Sequence, residues 1–268
     1  MRYEPGVERT LNLERQLLLW EQALEQLEKQ FGFSLKRRLL VVVFATPKQA
    51  RQLTRTTWAT AAALMGDDLV VASVSSLGPH ATETMRHELA HLFSASWLRL
   101  PNGLPFRDEG LATWIQGTVA SSAVDHWAQM VARRGRLRPI GELFRMTRYP
   151  EAATEAFDLY VLAGSFAGYL IQTFGWESYR KFFGSVLAGN YSKVFSKVFG
   201  ISLQEAEDQW LNQTLGCSGA DVRVNRRLQM PYESLLKTVE QMSSKIERPR
   251  TLINLPERIA ERRRQLYG

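Results

Sequence analysis

Two histidines four residues apart with a glutamate behind the first, His87-Glu88-Leu89-Ala90-His91, stand out in a chain that has only four histidines. On a helix, residues at this spacing share one face with Cβ atoms about 5–6 Å apart. Two imidazoles so placed can converge on one metal ion at bond lengths of about 2.0–2.1 Å, the chemistry of zinc. Glu88 then stands beside the ion, where a carboxylate can act as general base towards a coordinated water whose pKa the metal lowers to about 7. The pentapeptide arises by chance in well under ~1 in 100 chains of this length.

A catalytic zinc takes three protein ligands and keeps one position open. Glu109, eighteen residues after His91, is the candidate third ligand, in Asp108-Glu109-Gly110-Leu111-Ala112-Thr113-Trp114. The intervening Pro101, Asn102, Gly103 and Pro105 predict a loop between two helices, so an antiparallel return can bring Glu109 to the pair. Glu109 also suits a first-turn carboxylate favoured by the helix dipole, and both roles are compatible. A His-x-x-Gly-x-x-His continuation is absent, which excludes the three-histidine arrangement. The expectation is one Zn2+ per chain, held by His87, His91 and Glu109.

The elements that must carry these residues are legible from periodicity. Leu13, Leu17, Trp20, Leu24, Leu27 and Phe31 recur at helical spacing and Gly32 closes the segment, giving an N-terminal helix within residues 1–34. Leu39 to Phe44 and Leu69 to Val74 are short β-branched apolar runs that predict strands. Pro47 opens a helix towards Trp58, Gly78-Pro79 precedes the motif helix (Pro79 to Ser96), and a further helix begins near Asp108. Phe157 to Phe174 predicts another helix, and Ser202-Leu203-Gln204-Glu205 is a capping box opening one more. Strands in the first third and helices thereafter predict an α+β fold: a small N-terminal β-sheet with helices packed on it, then a mainly helical half.

HELAH followed by DEGLATW resembles the gluzincin zinc metallopeptidases, in particular the broad peptidase-MA-like group. There the glutamate of an E-G-hydrophobic-A segment is the third zinc ligand. Tyr160…Gly164-Ser165-Phe166-Ala167-Gly168-Tyr169-Leu170 and Phe199-Gly200-Ile201-Ser202 are similar to that group's helical second half. The resemblance spans roughly residues 35–215. It implies a zincin-like fold and a catalytic domain over 35–216, with the sheet and metal helices in 35–117 and a helical subdomain in 118–216. It also implies hydrolysis of peptide bonds, with Glu88 as base and proton shuttle. A Tyr or His donating to the oxyanion is implied as well, and Tyr160 is the candidate because it lies just before the helix that should return to the cleft. A core tyrosine is the other reading of that residue, and His126 the other donor. The Gly-x-Met-Glu-Asn segment of gluzincin aminopeptidases is absent, which points to an endopeptidase. In gluzincins the substrate lies extended along an exposed strand edge, and Leu69 to Val74 is the expected edge. Asp108 is a candidate for orienting a ligand imidazole, at a place in the site where a carboxylate is expected. Thr113 stands where some relatives use an acid.

Composition bounds the rest. Hydrophobic residues at 45% and charged ones at 23% are those of a globular domain. No run approaches the ~20 apolar residues of a membrane-spanning helix, and a single cysteine, Cys217, allows no intrachain disulfide. Without a signal-peptide pattern at Met1-Arg2-Tyr3, the expected location is cytoplasmic, or extracytoplasmic if a leader has been removed. Of the net charge of +7, residues 222–268 carry +6, with eleven Lys and Arg against five Asp and Glu. That places the excess in a basic helical extension, 217–268, with a stripe formed by Tyr232, Leu235, Leu236, Val239, Met242 and Ile246. It can dock on its own domain, a second subunit or another protein. No aromatic-basic interleaving or recognition module argues for nucleic acid. The expected partner is a peptide or protein substrate. The alternative is a gluzincin-fold binding or assembly protein with little or no turnover, its basic tail engaging a partner.

Overall fold

The computed structural model describes residues 1–35, 38–54, 61–64, 69–98 and 103–217. The described residues belong to one compact unit. The stripe from Tyr232 to Ile246 lies outside the described residues, as does the end of the helix expected to reach Trp58.

The chain opens with a short strand, β1 (Arg2–Tyr3), and the first helix, α1 (Leu13–Phe31). Asn12 caps α1 by accepting the amide of Arg15 at 2.9 Å, and Gly32 closes it in the left-handed conformation at φ +77°. Trp20, Ala23, Leu27 and Phe31 form its buried stripe. There follow β2 (Leu40–Phe44), α2 (Pro47–Thr54), β3 (Ala61–Leu64) and β4 (Leu69–Ser73). These strands make one mixed sheet in the order β1-β2-β4-β3, with β2 and β4 parallel and β3 antiparallel to β4. Val41, Val43 and residues 70–73 are buried.

This order corrects one expectation. Leu69–Ser73 is an inner strand, paired to β2 on one side and β3 on the other, so its backbone is not open to a substrate. Among the described residues the outer strand on this side is β3. Its alanine-rich run, Ala61 to Leu64, lacks the β-branched pattern that marks β2 and β4, because its pairing is decided by the neighbouring strand and not by intrinsic preference.

Helices supply the rest: α3 (Ala81–Ala95) packs on α1, on β3 and on α4 (Pro105–Gln116). A small antiparallel hairpin, β5 (Thr118–Val119) and β6 (Ser122–Ala123), follows α4. Next come α5 (Val124–Arg133), α6 (Ile140–Arg145), α7 (Ala153–Phe174), α8 (Trp176–Ser185), α9 (Tyr191–Phe199) and α10 (Leu203–Trp210). Ser202 and Glu205 form the reciprocal cap of α10, with hydrogen bonds of 3.1 and 2.7 Å. The fold is α+β, and no helix among the described residues is long and apolar enough to cross a membrane.

The contact that most constrains the site joins α4 to α7. A Cβ on Gly110 would stand 2.9 Å from the carbonyl oxygen of Ala163, and one on Gly164 would stand 2.8 Å from the Thr113 side chain. Gly110 lets α4 meet the backbone of α7, and Gly164 makes room on α7 for the Thr113 side chain. Gly110→Ala gains about 1 kcal/mol of helix propensity, yet the overpacking is expected to cost about 1–3 kcal/mol and dominate. A lower denaturant midpoint with unchanged m-value checks this; a higher midpoint refutes it.

Candidate metal centre

Helix α3 carries Glu83, His87 and His91 on one face, and α4 runs past it carrying Glu109. Pro105 occupies the first turn of α4, and the Asp108 carboxylate caps it by accepting the Leu104 amide at 3.0 Å. With α4 pinned by its cap and by the glycine contacts to α7, Glu109 is buried at 4% exposure and directed at the histidine pair.

His87 Nε2 lies 3.0 Å from Glu109 Oε2, and His91 Nε2 lies 3.5 Å from the same oxygen. The two Nε2 atoms are 3.2 Å apart. A tetrahedral ion with bonds of about 2.0–2.1 Å sets its ligand atoms about 3.3 Å from one another, so this triangle has the right size. Two imidazole nitrogens facing each other so closely cannot both present lone pairs comfortably unless a cation or a shared proton lies between them. Two nitrogens and one oxygen are donors that suit a divalent metal ion. These three residues are a group able to hold a metal ion.

Electrostatics follow from packing charges in a buried place. Burial raises the Glu88 carboxyl above its usual range, with His87 and His91 partly offsetting and the charge of Glu109 adding to the rise. The backbone N–H of Ala63, on β3, donates to Glu88 and favours its charged form. Burial alone would lower the His91 imidazole, but the charge and hydrogen bond of Glu109 outweigh it and push it up to about 9. Burial would raise Glu109, and the two histidines outweigh it in turn, holding this carboxyl well below its usual range.

No protein-family model and no curated protein matches the chain.

A cleft of about 240 Å³ opens beside the cluster, lined by His87 and Glu88, by Ala61 of β3, Val119 of β5 and by Phe157 and Tyr160 of α7. Tyr160 and His87 pack with their rings nearly perpendicular, centroids 5.8 Å apart. Burial, then the negative charge of Glu109, holds the proton on its hydroxyl, which keeps it a donor. His126 is exposed on α5 against Trp127 and is not part of the cleft wall.

Two residues of this centre carry no signal in the sequence. Tyr149, in the loop before α7, donates its hydroxyl to Glu109 Oε1 at 2.7 Å, leaving Oε2 for the histidines. The residue is 45% exposed while its hydroxyl reaches Glu109, and burial of that hydroxyl with the Glu109 charge keeps it protonated. Gln116, at the end of α4, places Oε1 2.9 Å from His87 Nδ1. That corrects the expectation for Asp108, whose oxygens are engaged by the Leu104 amide and by buried Arg107 at 2.7 Å. Thr113 is buried against Gly164 beside the cleft. No periodicity marks a loop tyrosine or a helix-terminal glutamine, because their partners are distant in sequence.

Proposed function

We propose that the protein is a zinc-dependent metallopeptidase of the gluzincin kind, an endopeptidase acting on extended peptide. The observation that carries this reading is the convergence of His87, His91 and Glu109 in one ligand triangle, with Glu88 beside it at the floor of an open cleft. Zinc bound there would act as a Lewis acid and generate a nucleophile from water near neutral pH.

The chain's own groups divide the remaining work. Glu88 accepts the proton of the attacking water and returns it to the departing amine. Its raised pKa favours that exchange over permanent ionisation. Tyr160, on the cleft wall beside His87, donates to the carbonyl oxygen as it gains negative charge. Tyr149 holds Glu109 in one orientation from outside the cleft. The outer strand β3 borders both Glu88 and the cleft, and its backbone can pair with an extended peptide.

Metal analysis of the wild type beside His87→Ala, with a peptide-library digest of the wild type, tests the reading. One zinc per chain, lost in the variant, together with cleavage of internal peptide bonds, supports it. Zinc without cleavage of any peptide overturns it in favour of a binding protein. Tyr160→Phe is expected to lower kcat about 10²–10³-fold with little change in KM. An unchanged kcat would move the donor role to another group.

A further inference from the structure

We propose that Gln116 is the positioning residue of His87, and that the backbone of the β5–β6 hairpin sets which way the glutamine amide faces. The inference rests on the metal reading above and concerns how one ligand is prepared.

An amide side chain offers an oxygen that accepts and a nitrogen that donates, and their order in space decides what a neighbouring imidazole must do. Gln116 Nε2 lies 2.7 Å from the carbonyl oxygen of Thr118, which can only accept. The nitrogen of the amide must therefore face the hairpin, and the oxygen must face His87. At 2.9 Å from that oxygen, His87 Nδ1 is obliged to carry the proton. Its Nε2 is then the nitrogen left to bind a metal ion, and it is Nε2 that faces His91 and Glu109. The tautomer needed for metal binding is thus written into a neutral amide, where a carboxylate was expected.

The hairpin is held firmly enough to serve as the reference. Gly117, at φ +83°, turns the chain out of α4 and into β5. Ala120 and Ser121 follow at φ +48° and +64°, a left-handed pair at two residues that are not glycine. The carboxylate of Glu83 compensates by accepting both of their amides, at 3.1 and 2.9 Å, and the Thr118 hydroxyl at 2.7 Å. Trp127 donates to the Val119 carbonyl at 2.7 Å from the other side. Glu83 lies one helical turn before His87 on the same face of α3. Helix, hairpin and glutamine therefore close a ring that begins and ends on α3, and the ligand at its end has little freedom to rotate.

The experiment compares zinc affinity in the wild type, Gln116→Met and Gln116→Glu by competition with a chromophoric chelator, alongside thermal midpoints of the zinc-free proteins. Methionine fills similar space without accepting a hydrogen bond. It is expected to weaken zinc binding about 10–100-fold while the zinc-free midpoint stays near that of the wild type. Glutamate restores an acceptor to Nδ1 but sets its other oxygen against the Thr118 carbonyl, and is expected to recover part of that loss. Wild-type affinity in Gln116→Met overturns the proposal, and so does equal weakening in both variants, which would make the residue mere packing. Nitrogen chemical shifts of His87 in the zinc-loaded wild type read the tautomer without any substitution. A proton on Nδ1 is the expected result, and zinc on Nδ1 overturns the proposal even if a variant fails to fold. A wild type that takes up no zinc is a different failure, that of the metal reading itself, and the wild-type arm alone reveals it.

Discussion

Glu88→Gln is expected to lower peptide hydrolysis about 10²–10⁴-fold, the range ascribed to a positioned general base, while zinc content stays at one per chain. The substitution is nearly isosteric, so the packing of a residue that is only 7% exposed survives it. What changes is the capacity to take a proton. The amide is neutral at every accessible pH, whereas burial lifts the native carboxyl towards the pH at which it can both accept and release one. The donation from Ala63 is not lost, since the glutamine oxygen still accepts it. Turnover and inductively coupled metal analysis on the same preparation check the claim. Retained activity would remove Glu88 from the mechanism, and loss of zinc alongside activity would mean that its role is to build the site.

The second large effect is on stability. Zinc that binds the folded chain and not the unfolded one stabilises it by about 2.7 kcal/mol at a free concentration 100 times Kd. For a domain of this size, each kcal/mol is worth about 2–4 °C in Tm. A chelator is therefore expected to lower Tm by roughly 5–10 °C, and His91→Ala to abolish that difference. The physical source is the ligand triangle. Without a cation, two Nε2 atoms 3.2 Å apart must share a proton, and the charge of Glu109 pushes His91 up to about 9. An ion relieves both constraints at once. Calorimetric scans with and without chelator decide it; equal midpoints for the wild type would contradict tight, fold-linked binding.

The sequence by itself determined the parts of this protein that depend on short range. His87 and His91 share a face because a helix repeats every 3.6 residues, whatever it packs against. The limits of α1, the cap of α10 and the strands β2 and β4 follow from local preference and from which side chains must leave water. Glu109 was legible as a candidate because Pro101, Asn102, Gly103 and Pro105 predict a break between two helices, after which α4 can return to α3. The α+β division followed from where β-branched runs stop.

Tertiary structure decided everything that depends on which distant backbone lies alongside. That β4 is inner and the alanine run of β3 outer is a matter of pairing across the sheet, to which Ala61–Leu64 contribute little preference of their own. Asp108 is committed to capping and to Arg107, so orienting His87 falls to Gln116, whose amide direction is set by a hairpin carbonyl. Tyr149 reaches Glu109 from a loop forty residues away in sequence. Tyr160 faces His87 because α7 crosses α4 at glycines. The residues able to hold a metal were written in the order of the chain. The hydrogen bonds that aim them arise only where the chain, folded, brings α4, the hairpin and the loop before α7 together beside α3.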